Sequence, residues 1–530
     1  CNVAVGSSSL NNNTEGFRNI ALGAFALCAN TTAPDNQAIG VCAMHTNTTG
    51  GDNIAIGNFS LGSNTSGNNN VALGLSSLCG NTSGCYNTAL GRNALRCNTT
   101  ANSNVAVGYE SLKVNTTGTE NTAVGKDSLK LSTTAIQNTA VGTSSLRDNT
   151  TGTENTAVGF NSLVQSTTGS SNTSIGKESL FSNTTASNNT AVGYEALKDN
   201  TTGTVNTAMG RQALQNNTTA DGNTAYGHNS LNTVTTGGCN TAVGGSALFN
   251  NTGTGNVAVG HSVLQANTSA SDNVGIGRNA LYTNTEGHSN VGIGRNALYD
   301  NTTGDQNIAV GCSALANNTT ASGNTGLGHN ALVAHTTGGC NTAVGCNAGG
   351  TMTTATNNVA MGRASMGNTT TGSSNTALGA LSLQTNSTGA NNVAVGFCAL
   401  KSNTTADNNT AIGYGSLKVN TTGCQNTGLG RTALQDNTTG CRNVSLGFDS
   451  LANNTTGECN TGVGFDAGST ITTGSNLTVL GSGAQPSSAT ATNEITLGNS
   501  SVTSLRCADT SISSLSDLRD KENIEDIPHG

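Results

Sequence analysis

The chain has 530 residues, of which 70 are glycine; 9% are charged, 3% aromatic, none is tryptophan and three are proline. Its 34% apolar content is mostly Ala, Val and Leu, too little bulk for several thick globular cores and too regular for a disordered chain. A net charge of −8 with no basic cluster along the body argues against nucleic acid as a partner, and no apolar run approaches the roughly 20 residues that span a bilayer.

From the N-terminus, Asn recurs at Asn2, Asn19, Asn36, Asn53, Asn70, Asn87 and Asn104, each step being 17 residues. The series runs to Asn240, slips once to Asn256, and resumes at 17 as far as Asn460, giving 28 repeats. Their consensus is N-(T/V/I)-A-(V/I/L)-G-x-x-(S/A)-L-x-x-N-T-T-G-x-x, with Gly in the fifth position of all 28 and Leu in the ninth of 24. Because Cys1 already lies inside a repeat, the native N-terminus is expected upstream.

Seventeen residues cannot bury their own side chains, so each repeat must stack on its neighbours. The reading that follows is all-β: a parallel β-solenoid or β-roll of 17-residue coils occupying residues 1–476. The second, fourth and ninth positions, as in Val105, Val107 and Leu112, are expected to form the core, since alternate strand residues share a face. Glycine after the strand suits a tight corner, and the N-T-T-G stretch an outer turn. Where the ninth-position Leu is lost, at Gly349 and Gly468, Met352 and Ile471 stand three places later and are expected to replace its volume.

The N-T-A-V-G-x-x-(S/A)-L repeats resemble the head repeats of trimeric autotransporter adhesins, and more closely the long N-T-A-x-G arrays upstream of tail-spike chaperone domains. The resemblance covers residue 2 to about 476 and implies a left-handed β-roll assembled as a homotrimer. After Asn476 the period is expected to break into stalk or transition strands over 477–515, among them Asn493–Ser500. The segment Ser516-Asp517-Leu518-Arg519-Asp520-Lys521-Glu522-Asn523-Ile524 resembles the opening of the endosialidase-type intramolecular chaperone, which trimerises phage fibres and then cuts itself off. That resemblance makes 516–530 the truncated start of the chaperone. It implies Ser516 as nucleophile for cleavage of the Ser516–Asp517 bond, with Lys521 as its general base.

Other features carry local chemistry. N-x-(S/T) sequons place candidate glycosylation at Asn30, Asn47, Asn98, Asn115, Asn149, Asn183, Asn200, Asn301, Asn403 and Asn437. The competing reading is that Asn and Thr fill a tight turn and stack in hydrogen-bonded ladders. Aromatics cluster just after the invariant Gly, at Tyr109, Phe160, Tyr194, Phe397, Tyr414, Phe448 and Phe465, where they either stack on sugars or cover the corner. Of 15 cysteines, Cys424 and Cys441 share a repeat position one coil apart, within disulfide range. No Cys/His constellation points to a metal, and no cofactor is expected.

The function expected from these features is structural: the shaft of an extracellular or virion-surface fibre, with a cell-surface glycan or receptor as partner. It is not an enzyme beyond self-cleavage. Two alternatives are a cell-surface adhesin or secreted filament, and an ice- or polysaccharide-binding solenoid.

Overall fold

The computed structural model describes residues 1–506. They divide into two compact units, Cys1–Thr405 and the described part of Ala406–Gly530. The first holds 24 three-residue strands, β1 (Val3–Val5) to β24 (Val393–Val395), and the second holds six, β25 (Thr410–Ile412) to β30 (Ile495–Leu497). Within each unit every strand pairs in parallel with the next, 17 residues on except for one step of 16: Val105 with Thr122 in the first, Thr427 with Val444 in the second. Each unit is therefore a parallel β-solenoid, one short strand per coil, with no helix among the described residues.

The coil Asn104–Glu120 illustrates the cross-section. Its strand, Val105–Val107, buries only the middle residue, Ala106, and leaves Val105 and Val107 half-exposed. Ser111 and Leu112, in the eighth and ninth positions, are fully buried, as are Asn104 and Asn115 in the first and twelfth. The strand is thus turned over relative to the sequence expectation: the third position faces the core, and the second and fourth face out. The cause is width. A 17-residue coil encloses room for one Leu, so the strand opposite must present a side chain no larger than Ala, Gly or Ser.

Backbone conformation is dictated by the same narrowness. Gly108 has φ +132°, and a Cβ built there would lie 2.5 Å from the Gly125 carbonyl oxygen of the next coil. The fifth-position glycine is required both by its torsion and by the close approach of its own copy. In most coils three further residues take left-handed torsions with side chains attached, here Glu110 (φ 54°), Leu112 (φ 48°) and Glu120 (φ 60°). Such torsions are disfavoured for L-residues. Inter-coil bonds hold them in place: the Leu112 amide donates to Ser128 O at 2.9 Å, and the Glu110 amide to Arg92 O at 3.1 Å.

Departures from the consensus obey the same geometry. Gly349 and Gly468 lack the core Leu, and Met352 and Ile471 are fully buried in its place. A Cβ on Gly349 would sit 3.1 Å from the Met352 sulfur, so that thioether fills the vacated space. The short coil Asn240–Gly255 has 16 residues, pairing Thr241 with Val257. Its missing residue comes out of the outer turn, for the Asn256 amide still reaches Asn240 Oδ1 at 2.9 Å and Asn267 Nδ2 still reaches Asn251 Oδ1 at 2.5 Å.

The 17-residue register does not break at Asn476. Thr478–Leu480 pairs with Thr461–Val463, and Ile495–Leu497 pairs with Thr478–Leu480, each 17 residues on. What changes there is the packing. Ile495 is 71% exposed, and Glu494 stands where a buried Asn heads the earlier coils.

A Gly108→Ala substitution combines strained torsion with backbone overlap, a local cost on the order of 1–3 kcal/mol. Amide hydrogen exchange should accelerate in the coils on either side of Gly108 and stay unchanged several coils away. Uniform protection across the altered coil would contradict the packing described.

Candidate functional site

The most extensive chemical feature of the coils is a pair of buried amide columns. In the twelfth position, Asn47 Nδ2 donates to Asn30 Oδ1 at 3.1 Å, Asn64 to Asn47 at 2.7 Å and Asn81 to Asn64 at 2.8 Å. The second hydrogen of each amide goes to its own coil, as from Asn47 Nδ2 to Gly50 O at 2.8 Å. In the first position, the Asn53 amide N–H donates to Asn36 Oδ1 at 3.1 Å, and Asn53 Nδ2 reaches Gly67 O at 2.9 Å. Beside the twelfth-position column, Thr hydroxyls donate to the next coil's carbonyl, Thr48 Oγ1 to Thr65 O at 2.9 Å.

These columns favour the ladder reading of the N-T-T asparagines over the sequon reading. Asn30, Asn47, Asn98, Asn115, Asn149, Asn183, Asn200, Asn301, Asn403 and Asn437 are all fully buried. Their Nδ2 atoms point into the ladder; Asn98 Nδ2, for example, donates to Asn81 Oδ1 at 2.8 Å and to Ala101 O at 3.0 Å. A glycan would have to replace one of those hydrogens and find room inside the coil. The modification and the folded coil exclude one another.

Interruptions of the column leave polar atoms without partners. Where Ser132 and Ser166 replace Asn, their hydroxyls and the facing Asn115 Oδ1 and Asn149 Oδ1 are unpaired. At His335 the ring Nε2 bonds to Gly338 O, while Nδ1 and the Asn318 oxygen have no partner. His335 is fully buried, and that burial pushes its pKa below the ordinary value.

The outward strand face is the second feature. Its second and fourth positions carry half-exposed apolar side chains along both units, among them Val71, Leu73 and Leu90 in the first and Ile412 and Leu429 in the second. Within this face Thr122, Thr139, Thr156, Thr173, Thr190, Thr207, Thr224 and Thr241 occupy eight successive coils. Sequence reasoning placed these residues inside; the signal that could have corrected it was the near-invariant small residue between them.

The aromatic corner forms intramolecular stacks. Phe448 and Phe465 lie 5.3 Å apart at 9°, and the Arg431 guanidinium sits over both Tyr414 and Phe448, at 5.8 and 5.1 Å. Lys177 stands over Tyr194 at 5.6 Å. Stacking along the coil axis places these ring faces against neighbouring coils. Tyr109, Phe160 and Phe397 also lie exposed on this corner.

Charged side chains pair within and between coils. Glu110 receives Lys113 and Lys130, each at 2.8 Å, and the two ammonium groups hold its carboxyl down to about 2. Cys424 and Cys441 Sγ atoms lie 3.1 Å apart as free thiols. Among the described residues no three His, Cys, Asp or Glu side chains gather as a metal cluster, and no helix is long and apolar enough to cross a membrane. Ser516, Asp517 and Lys521 lie outside the described residues.

Two measurements test these columns. A histidine whose folded pKa is depressed contributes stability that is complete above its unfolded pKa, about 6.5, and is lost as pH falls below it. Exchange protection around His335 should therefore weaken as pH falls below about 6.5, and His335→Asn should flatten that dependence. Separately, intact mass after production in a cell that N-glycosylates secreted proteins should show none of the ten Asn modified in folded chain; a glycan on any of them would disprove the buried column at that coil.

No protein-family model matches the chain, and no curated protein is significantly similar to it.

Proposed function

We propose that the chain is the shaft of a fibre displayed outside a cell or on a virion, assembled as a homotrimer through the outward strand face. The observation that carries this reading is the apolar character of that face. Val, Ile, Leu or Met faces outward in the fourth position of nearly every coil, as at Ile39, Ile56 and Leu73. A sheet face meant for water ordinarily carries polar residues there. An exposed edge-to-edge stripe of this length is a feature of interaction surfaces. The occupant that suits it is another copy of the chain, whose stripe has the same one-coil pitch and so matches it rung for rung.

The interior supports a mechanical rather than a catalytic role. Its polar groups are spent on amide columns and inter-coil bonds, which fix each coil to the next. The resemblance of the 516–524 segment to an intramolecular chaperone supports an assembly device following the coils, in which Ser516 and Lys521 cut the Ser516–Asp517 bond once three chains have met.

Sedimentation of the purified chain should give three times the chain mass. Replacing Val107, Val124 and Val141 together with Lys should return it to a monomer with its exchange-protected coils intact. A wild-type monomer or dimer would sink the trimer. In the full-length protein, Ser516→Ala should abolish cleavage at that bond while leaving the trimer; continued cutting would remove the Ser–Lys assignment.

One observation favours a second reading. The eight successive outward Thr from Thr122 to Thr241 make a regular hydroxyl array on a rigid sheet, beside an equally regular apolar row. Such a face can order water, as an ice-binding solenoid requires. Thermal hysteresis in solutions of the chain, absent after Thr156→Lys and Thr173→Lys, would favour it over the fibre.

A further inference from the structure

The sixteenth position of the coil has a role that explains where one cysteine pair points. At many steps of this column the backbone N–H is met by the polar side chain one coil further on. The Gly51 amide donates to Asn68 Oδ1 at 2.8 Å, Cys85 to Asn102 Oδ1 at 2.7 Å, Thr153 to Ser170 Oγ at 3.0 Å, and Asp305 to Ser322 Oγ at 3.0 Å. The acceptor changes between amide, hydroxyl, carboxylate, imidazole and thiol, but where the bond forms its direction does not: the side chain leans back along the axis onto its predecessor.

Cys424 and Cys441 occupy this column in successive coils of the second unit. The Cys424 amide donates to Cys441 Sγ at 3.0 Å, following the same rule. That contact aims the Cys441 sulfur at residue 424 and brings the two Sγ atoms to 3.1 Å. Mutual hydrogen bonding between the thiols, with their partial burial, raises the pKa of Cys424. Neither residue is fully buried, so a small oxidant reaches them. The contrast is Cys85, in the same column of the first unit. Its sulfur accepts the Asn68 amide at 3.3 Å, but its neighbours in the column are Asn68 and Asn102, and no second thiol meets it.

We propose that Cys424 and Cys441 are an oxidisable clasp that closes into a disulfide between adjacent coils. The co-reactant is a small dialkyl disulfide such as oxidised glutathione. The Cys441 thiolate attacks one sulfur of that disulfide, forming a mixed disulfide and releasing one small thiolate. The Cys424 thiolate then attacks the Cys441 sulfur and expels the second. Two protein thiols lose two electrons and two protons, and one small disulfide becomes two thiols. The sulfurs need to approach by about 1 Å to reach bonding distance, a shift that side-chain rotation supplies. Closure ties together two coils separated by 16 intervening residues and so limits their local opening. The proposal is independent of the fibre reading and holds for a monomer or an assembly.

The cross-link has a simple signature, because Arg431 lies between the two cysteines. The purified full chain is incubated with oxidised glutathione, blocked with an alkylating agent and digested with trypsin. The peptides 419–431 and 432–442 should appear joined by one reducible bond, while Cys85 and Cys459 are not joined to either. Recovery of the two peptides separately, alkylated or glutathionylated, would overturn the proposal; so would Cys441 joined to Cys459 or to a second chain. Amide exchange across 424–441 should slow several-fold on oxidation, and Cys441→Ser should abolish the difference. Equal exchange in oxidised and reduced chain would remove the clasp role even if the bond forms.

Discussion

The structure depends on how little a coil can hold. With room inside for one leucine, the opposite strand is reduced to Ala, Gly or Ser, and the remaining interior is filled by two asparagines. Burying amides is unfavourable unless every donor and acceptor is met. Twelfth-position asparagines meet that demand through the asparagine of the neighbouring coil, and first-position asparagines through the next coil's backbone N–H, which binds the repeat length to the hydrogen-bond pattern. The stack is therefore held along its axis by polar columns, with the leucine row supplying the apolar contact beside them.

This arrangement relocates the apolar bulk. Valine and isoleucine are commoner than leucine in the strands, yet they lie outside, and the side chains that would form the core of an ordinary sheet instead line a surface. The coil resolves its shortage of interior space by exporting its larger side chains to a face whose regular pitch only a similarly periodic partner matches. A thin interior and a sticky exterior are thus two aspects of one cross-section.

The period, the parallel register, the invariant glycine and the compensation at Gly349 by Met352 were all legible in the sequence, because each follows from copying one unit onto the next. The facing of the strand was not. Alternation gives two sets of residues but not which set is inside, and hydrophobicity alone chose Val105 and Val107 over Ala106. Volume decides the matter, and the ninth-position Leu already consumes it. The asparagine ladder was one of two readings the sequence offered: N-T-T also matches an acceptor motif by type, and it takes the geometry to show Asn98 bonding Asn81. The Cys424–Cys441 neighbourhood was legible from spacing, but its cause, a column in which side chains lean on the preceding amide, required the geometry.

The 16-residue coil at Asn240–Gly255 shows what kind of change such a protein accommodates. One residue is missing, yet the first-position column passes through undisturbed and the twelfth-position column, interrupted one coil earlier by Val234, resumes from Asn251 to Asn267, because the loss fell in the outer turn. Growth by whole coils is equally permissive, since an inserted copy meets the same surface above and below as the copy it displaces. The neighbouring repeats that begin at Asn273 and Asn290, both reading N-V-G-I-G-R-N-A-L-Y, look like the product of such a duplication. Replication slippage in the gene can then lengthen or shorten the stack in steps of one rung without redesigning any contact, so length is the trait on which selection has the freest hand.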